Sequence, residues 1–333
     1  MNYRKYLLMP LAAVMLAAGA AVLTLQTVKA GEQKPAEGDI VLRLDRENRD
    51  GMPAHFRTSG DAFGTVSSRY QSQMNPDYIP SKKGMADLHI SGSAQPSEKE
   101  WTSLAQCLHS LHTGPVYDID LREESHGFIN GNAVSWYGFR NWANMNRTGR
   151  DIMKDEEGRL QQNMGKDVIA YKMTQSGRVK KEEQLSVLRI STEKEVIQPL
   201  GIRYVRIPSE DYKWPSEEAV DQFISLYRRL PSDAWLHFHC EEGEGRTTAF
   251  MAMTDMIKNP DVPFRDIIYR QHLIGGDDVT YIGSAGTSRS WKLPYEREKA
   301  EMARLFYQYV QEQEPQGFHI SWSRWLETHG GDK

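Results

Sequence analysis

Cysteine is scarce: Cys107 and Cys240 are the only two in 333 residues. An exported chain stapled by disulfides carries more, so a disulfide scaffold is excluded and two free thiols are expected. Positive charge is not in excess either. Lys and Arg number 41 against 45 Asp and Glu, for a net charge of −4. A general nucleic-acid-binding surface is therefore excluded, and any anion site has to be a local basic pocket in a mildly acidic protein. There is no internal repeat, and no low-complexity tract beyond the N-terminal segment. What is present in quantity is aromatic: eight Trp and fifteen Tyr argue for a packed core and against disorder.

The N-terminus reads as a targeting segment. Arg4 and Lys5 precede an apolar run from Leu7 to Leu25, and Val28-Lys29-Ala30 suits a cleavage site. Residues 1–30 are expected to be a secretory signal peptide, with an uncleaved anchor as the alternative. The protein is thus expected to act in the periplasm or outside the cell, without stable membrane association once cleaved. Residues 31–45 read as a flexible start and a first strand at Val41–Leu44.

Beyond this the chain alternates helix and strand, which points to an α/β fold. Residues 46–150 form the first part of a core: a long polar loop to Tyr78, then a helix opened by the capping box Ser97-Glu98-Lys99-Glu100. Cys107 falls among Trp101, Leu104, Leu108 and Leu111 and is expected to be buried. A strand follows over Pro115–Leu121. Residues 151–200 are richer in charge and in short alternating runs, and read as an inserted β-rich subdomain that shares the Val41 strand. The α/β beat resumes over 201–333 with a strand at Ile202–Ile207, a helix capped by Ser216, a strand at Trp235–His239 and three further helices.

The stretch that carries chemistry is His239-Cys240-Glu241-Glu242-Gly243-Glu244-Gly245-Arg246-Thr247, set between strand and helix. A loop curled before a helix N-terminus aims backbone N–H groups at an anion, and the helix dipole adds to the attraction. Gly243 and Gly245 suit the positive-φ turns of such a loop. Arg246 can grip two phosphate oxygens with its planar fork. The same field favours Cys240 as thiolate, the nucleophilic form. Thiolate attack on a phosphomonoester gives a phosphocysteine, and water releases phosphate without a metal. A zinc site from His237, His239 and Cys240 is disfavoured. The two histidines share one strand face, Cys240 lies beyond, and no further cysteine is available. Glu242 and Glu244 would repel a polyanion if turned inward. Their carboxylates are expected to face solvent and their N–H groups the phosphate, while Glu241 binds loop backbone.

This string resembles the signature loop of protein tyrosine phosphatases and, in its longer form, the bacterial tyrosine-phosphatase-like inositol polyphosphatases, or cysteine phytases. Asp120–Gly127, His55–Ser59, Ser290-Trp291-Lys292 with Arg297-Glu298-Lys299, and Ser321–Leu326 carry the likeness across most of the chain. The resemblance implies a phosphatase core, a central sheet flanked by helices, with a small inserted partial barrel. It implies inositol phosphates such as phytate as substrate, and no cofactor. A carboxylic acid is needed to protonate the leaving alkoxide. Asp211, 29 residues before Cys240, and Glu210 both qualify by position; the resemblance selects Asp211, the Asp ahead of Trp214-Pro215. The family pattern has His after this Asp, where this chain has Tyr212. The resemblance also carries substrate binding to the loop residues 241–245 and Thr247, and to Arg57, Lys292 and Lys299. Asp120 is included with them, although a structural or orienting part suits it better. No Asn-Arg-Tyr loop for stacking a phosphotyrosine ring is found. The competing readings are a phosphoprotein phosphatase and an inactive phosphoinositide-binding module.

Overall fold

The computed structural model describes residues 39–174 and 177–330; the expected signal segment lies outside the described residues. The strands are β1 (Val41–Arg46), β2 (Arg57–Thr58), β3 (Ile90–Ala94), β4 (Val116–Arg122), β5 (His126–Ile129), β6 (Asn132–Tyr137), β7 (Asp167–Met173), β8 (Val179–Ser186), β9 (Ile190–Ser191), β10 (Ile202–Ser209) and β11 (Trp235–Cys240). The helices are α1 (Glu98–Leu111), α2 (Gly149–Asn163), α3 (Glu193–Ile197), α4 (Glu217–Tyr227), α5 (Gly245–Lys258), α6 (Phe264–Leu273), α7 (Leu293–Gln313) and α8 (Trp322–His329).

Two sheets organise them. The first has the order β10-β4-β11-β3-β2 and is parallel except at its β2 edge. Its central strand β11, Trp-Leu-His-Phe-His-Cys, is buried along its whole length, as parallel strands covered on both faces are. One face packs Ile90, Ile119, Leu236 and Phe238 against α4, α5 and α7. The other packs Val116, Ile202 and Trp235 against Trp101, Leu104 and Leu108 of α1. The capping box that opens α1 is formed, and Ser216 caps α4 by accepting from the Ala219 N–H.

The second sheet has the order β8-β7-β1-β6-β5-β9. The segment 151–200 supplies β7, β8 and β9, together with α2, a helix capped by Thr148 that composition did not suggest. The early strand β1 lies in the middle of this sheet, and the hairpin β5–β6 extends it. That hairpin turns at Asn130 and Gly131, both at positive φ (53° and 82°), the pair that a tight two-residue turn prefers. Cys107 is only half-buried. The buried stripe of α1 runs through Glu100, Trp101, Leu104, Ala105 and Leu108, and Leu111 is exposed at its end. At 100° per residue Cys107 falls at the edge of that stripe, about two turns beyond Glu100 and on the same side.

Arg206 of β10 joins the two units. Its guanidinium reaches Asp120 Oδ2 and Glu156 Oε2, each at 3.0 Å, and donates to the carbonyls of Arg122 (2.8 Å) and Glu124 (3.0 Å). Removing one partner of a buried ion cluster leaves the others uncompensated, at about 3–5 kcal/mol. Arg206→Met is expected to lower unfolding stability by roughly that much in urea titrations. An unchanged midpoint would show that the corner is held by other means.

Candidate active site

Cys240 ends β11 and Gly245 begins α5, so the loop 241–244 lies between a central strand and a helix N-terminus. Its path depends on Gly243, which has φ +72°. A Cβ there would lie 2.3 Å from the backbone N of Ala94 and from the backbone carbon of Ser93. The loop therefore packs on the end of β3 with no room for a side chain. Gly245 plays another part than expected. It is not among the positive-φ residues but is the first residue of α5, and its bare Cα faces the cavity.

The nucleophile candidate and its partners converge. Cys240 is 3% exposed, and Thr247 Oγ1 donates to its Sγ at 3.2 Å. Arg246 is buried, and its Nη1 donates to Glu124 Oε2 at 2.8 Å. Asp211 Oδ1 lies 3.6 Å from Arg246 Nε, on the connection from β10 to α4. Asn141 Nδ2 approaches the other Asp211 oxygen at 3.4 Å, and Trp142 Nε1 donates to the Asp211 carbonyl at 2.9 Å. Cys240, Arg246 and Asp211 line one cavity of about 610 Å³, with Glu241, Glu242, Glu244, Gly245, Lys292 and Lys299.

The surroundings explain how Arg246 is held. Glu124 is fully buried. Burial alone would raise its carboxyl, but Arg246 and Arg122 outweigh it and hold the group well below the usual carboxylate range. Arg122 Nε donates to Glu124 Oε1 at 2.8 Å, and its Nη2 meets Asp45 Oδ2 at 3.0 Å. Asp45 in turn lies 3.2 Å from Arg43 Nε, and Arg43 pairs with Glu241 in the loop. Glu241 is thus tied to β1 and not to loop backbone. Glu242 and Glu244 are each more than a third exposed at the side chain, yet both line the cavity.

Two expected substrate ligands are elsewhere. Arg57 is buried behind the loop, donating to the Gly243 carbonyl (2.8 Å) and to Thr248 Oγ1 (3.0 Å). It clamps the loop as a nearby cation. Burial lowers its guanidinium to about 10, while the Cys240 charge opposes this. Asp120 is fully buried and bound to Arg206, to the Tyr204 hydroxyl (2.7 Å) and to the Arg122 N–H (2.9 Å). It orients the arginine corner and does not line the cavity. His239 also faces away from the cavity. Its Nε2 lies 3.4 Å from Glu193 and 3.5 Å from Asp118, which outweigh burial and push the imidazole up to about 10.

Lys292 and Lys299 do line the cavity. Lys292 Nζ sits 3.8 Å above the centre of the Tyr212 ring, and burial lowers its ammonium to about 8, partly offset by Asp211. Arg43, Arg69, Arg140, Arg178 and Arg289 complete a cationic wall that sequence reading did not identify. Arg43 comes from β1 and the others from connections between elements, and no motif spacing links them. Glu124 was visible only as part of the Asp120–Gly127 string; its hold on Arg246 needed the fold.

With this geometry in hand, the comparisons are informative. The family model for tyrosine-phosphatase-like phytases, described as inositol hexakisphosphate, matches residues 119–258, the span from β4 to α5 that contains Asp211, Cys240 and Arg246. A tandemly repeated protein tyrosine phosphatase-like phytase from Mitsuokella multacida is 41% identical, over 86% of this chain and 49% of that one, with a TM-score of 0.83. A PTP-like myo-inositol phosphatase from the same organism, solved with myo-inositol-(1,3,4,5)-tetrakisphosphate, is 39% identical over 90% of this chain and 50% of that one (TM-score 0.83). A PTP-like phytase from Bdellovibrio bacteriovorus is 29% identical over 91% and 99% of the two chains (TM-score 0.68). The chain spans about half the length of the two Mitsuokella proteins, and shares their α/β fold. By motif, site architecture and likeness, this chain belongs to the tyrosine-phosphatase-like phytase family.

Proposed function

We propose that the protein hydrolyses phosphomonoesters of myo-inositol polyphosphates, phytate among them, through a phosphocysteine on Cys240 and without a metal. The observation that carries this reading is the convergence of Cys240, Arg246 and Asp211 in one cavity walled by further arginines and lysines. Arg246 and the loop N–H groups hold the scissile phosphate, with charge-assisted hydrogen bonds aimed at its oxygens. Cys240 as thiolate attacks phosphorus, and Asp211 gives its proton to the departing inositol oxygen. Water then attacks the phosphocysteine and returns the thiolate. The cationic wall takes the remaining phosphates of the ring, and the solved complex of a relative with an inositol tetrakisphosphate supports that substrate class. Residues 1–30 are proposed to direct export. No helix among the described residues is long and apolar enough to cross a membrane.

Phosphate release from phytate in EDTA, by the chain lacking residues 1–30 beside its Cys240→Ser variant, tests the proposal. Wild-type release with none from the variant is expected. If wild type releases phosphate from p-nitrophenyl phosphate alone, the chemistry stands and the substrate class falls. Asp211→Asn is expected to lower kcat on phytate by about 10²–10⁴-fold, the usual worth of a general acid. The loss should be much smaller on p-nitrophenyl phosphate, whose phenolate leaves without a proton. Equal losses on both would remove Asp211 from the acid role.

Lys292 sets a pH dependence. With its ammonium at about 8, it is charged below that pH and neutral above it. kcat/KM on phytate reports the free enzyme and should fall as pH rises through about 8. Lys292→Met should be slower at pH 6 and should lack that limb. A variant that keeps the limb would assign it to another group.

A further inference from the structure

Most of the carboxylates around the cavity have an evident part. Glu241 pairs with Arg43, Glu296 accepts the Gly283 N–H at 2.8 Å, and Asp211 stands over Arg246. Asp277 does not fit this pattern. It lies in the cavity wall on the connection from α6 to α7, and it is held in place. Its N–H donates to Thr248 Oγ1 at 2.9 Å, and that hydroxyl donates to the Glu244 carbonyl at 2.7 Å. The Tyr70 hydroxyl donates to Asp277 Oδ1, and Arg69 lies 3.7 Å from the same oxygen.

The other oxygen points at the phosphate loop. A Cβ built on Gly245 would lie 3.9 Å from Asp277 Oδ2 and 3.8 Å from Lys299 Nζ. A fixed anion and a cation thus flank one point beside the residue that precedes Arg246. A bare carboxylate there repels any phosphate brought close to it, and a hydroxyl is the substrate group it can accept a hydrogen bond from. Burial also raises the Asp277 carboxyl against the pull of Lys299, as expected of a group only partly solvated.

We propose that Asp277 and Lys299 read the ring positions next to the scissile phosphate. Lys299 takes a neighbouring phosphate and Asp277 accepts a hydrogen bond from a neighbouring free hydroxyl. The site then favours inositol phosphates that carry a hydroxyl beside the phosphate removed, over the fully phosphorylated ring. This rests on the inositol-phosphate reading above. Discrimination comes from attraction of the hydroxyl together with repulsion of a phosphate at the same place.

The test compares kcat/KM on a hydroxyl-bearing inositol tetrakisphosphate and on the hexakisphosphate, for wild type and Asp277→Asn. The ratio of the first to the second is expected to fall at least about tenfold in the variant, as loss of a charge-assisted hydrogen bond and of a repulsion implies. Tyr70→Phe loosens Asp277 while leaving its charge, and should move the ratio the same way by less. It decides the matter if Asp277→Asn does not fold. A loss shared equally by both substrates would reduce Asp277 to an orienter of Lys299 and Arg69, and would overturn the proposal while leaving the substrate class intact. Wild type that hydrolyses p-nitrophenyl phosphate but neither inositol phosphate would sink the substrate reading and this inference with it.

Discussion

A buried arginine needs partners that compensate its charge, and for Arg246 they form a series of alternating charges. Arg246 binds Glu124, Glu124 binds Arg122, Arg122 meets Asp45, Asp45 meets Arg43, and Arg43 returns to Glu241 in the loop itself. The series runs from the first turn of α5 back to the loop 241–244 and passes through strands of both sheets. Glu124 and Asp45 each sit between two guanidinium groups and Glu241 is paired with Arg43, so no member is left as an uncompensated charge in the interior. The Asp45–Arg122 link is an ion pair at 3.0 Å without hydrogen-bond alignment, since neither of those two atoms has a hydrogen-bond partner. The inserted sheet is therefore part of the site: β1 fixes the loop from one side while α5 fixes it from the other.

The rest of the loop is fixed by packing. Gly243 rests on the end of β3, Arg57 clamps its carbonyl from behind, and the Gln95 N–H donates to the Glu241 carbonyl at 3.1 Å. A site built this way holds its donors in position before a substrate arrives, which is where electrostatic catalysis gains most. It also explains how an acidic protein keeps a cavity lined by cations. The acids nearest the cavity are paired, partly exposed or aimed, and the arginines that line it come from many parts of the chain.

The parts legible in the sequence were those encoded by neighbours. Ser97 with Glu100, and Ser216 before α4, mark helix starts through contacts three residues long. The His239–Thr247 string places Cys240, the loop and Arg246 because all three lie within nine residues. Arg43, Arg69, Asp277 and the grip of Glu124 on Arg246 were not legible, because each acquires its part only when distant segments meet. Arg57 shows the same limit from the other side. A cation in a familiar string was expected at the substrate, and the fold sets it beneath the loop. Asp120 carries charge in such a string as well, but its partners are Arg206 and Tyr204, supplied by the neighbouring strand β10.

Tyr212 shows how one replacement can change the character of a site while leaving its plan. The family pattern has a histidine after the aspartate; here a phenol follows Asp211, on backbone with φ +69°. The conformation is uncommon for a bulky residue, so something holds it. Its own N–H donates to Asp211 Oδ1 at 3.0 Å, the Trp291 ring meets its ring edge-on at 5.1 Å, and Lys292 lies over its face. Burial and the Asp211 charge push the phenol well above its ordinary range, so it carries no charge at working pH, where a histidine could. What the site gains is a seat for Lys292. An ammonium over an aromatic face is attracted by the ring and is kept partly out of water, and the same burial that brings Lys292 to about 8 keeps it close to Asp211 and Arg246. The lysine stacked on Tyr212, and not the residue that follows Asp211, is thus a group beside that carboxylate whose charge changes near pH 8.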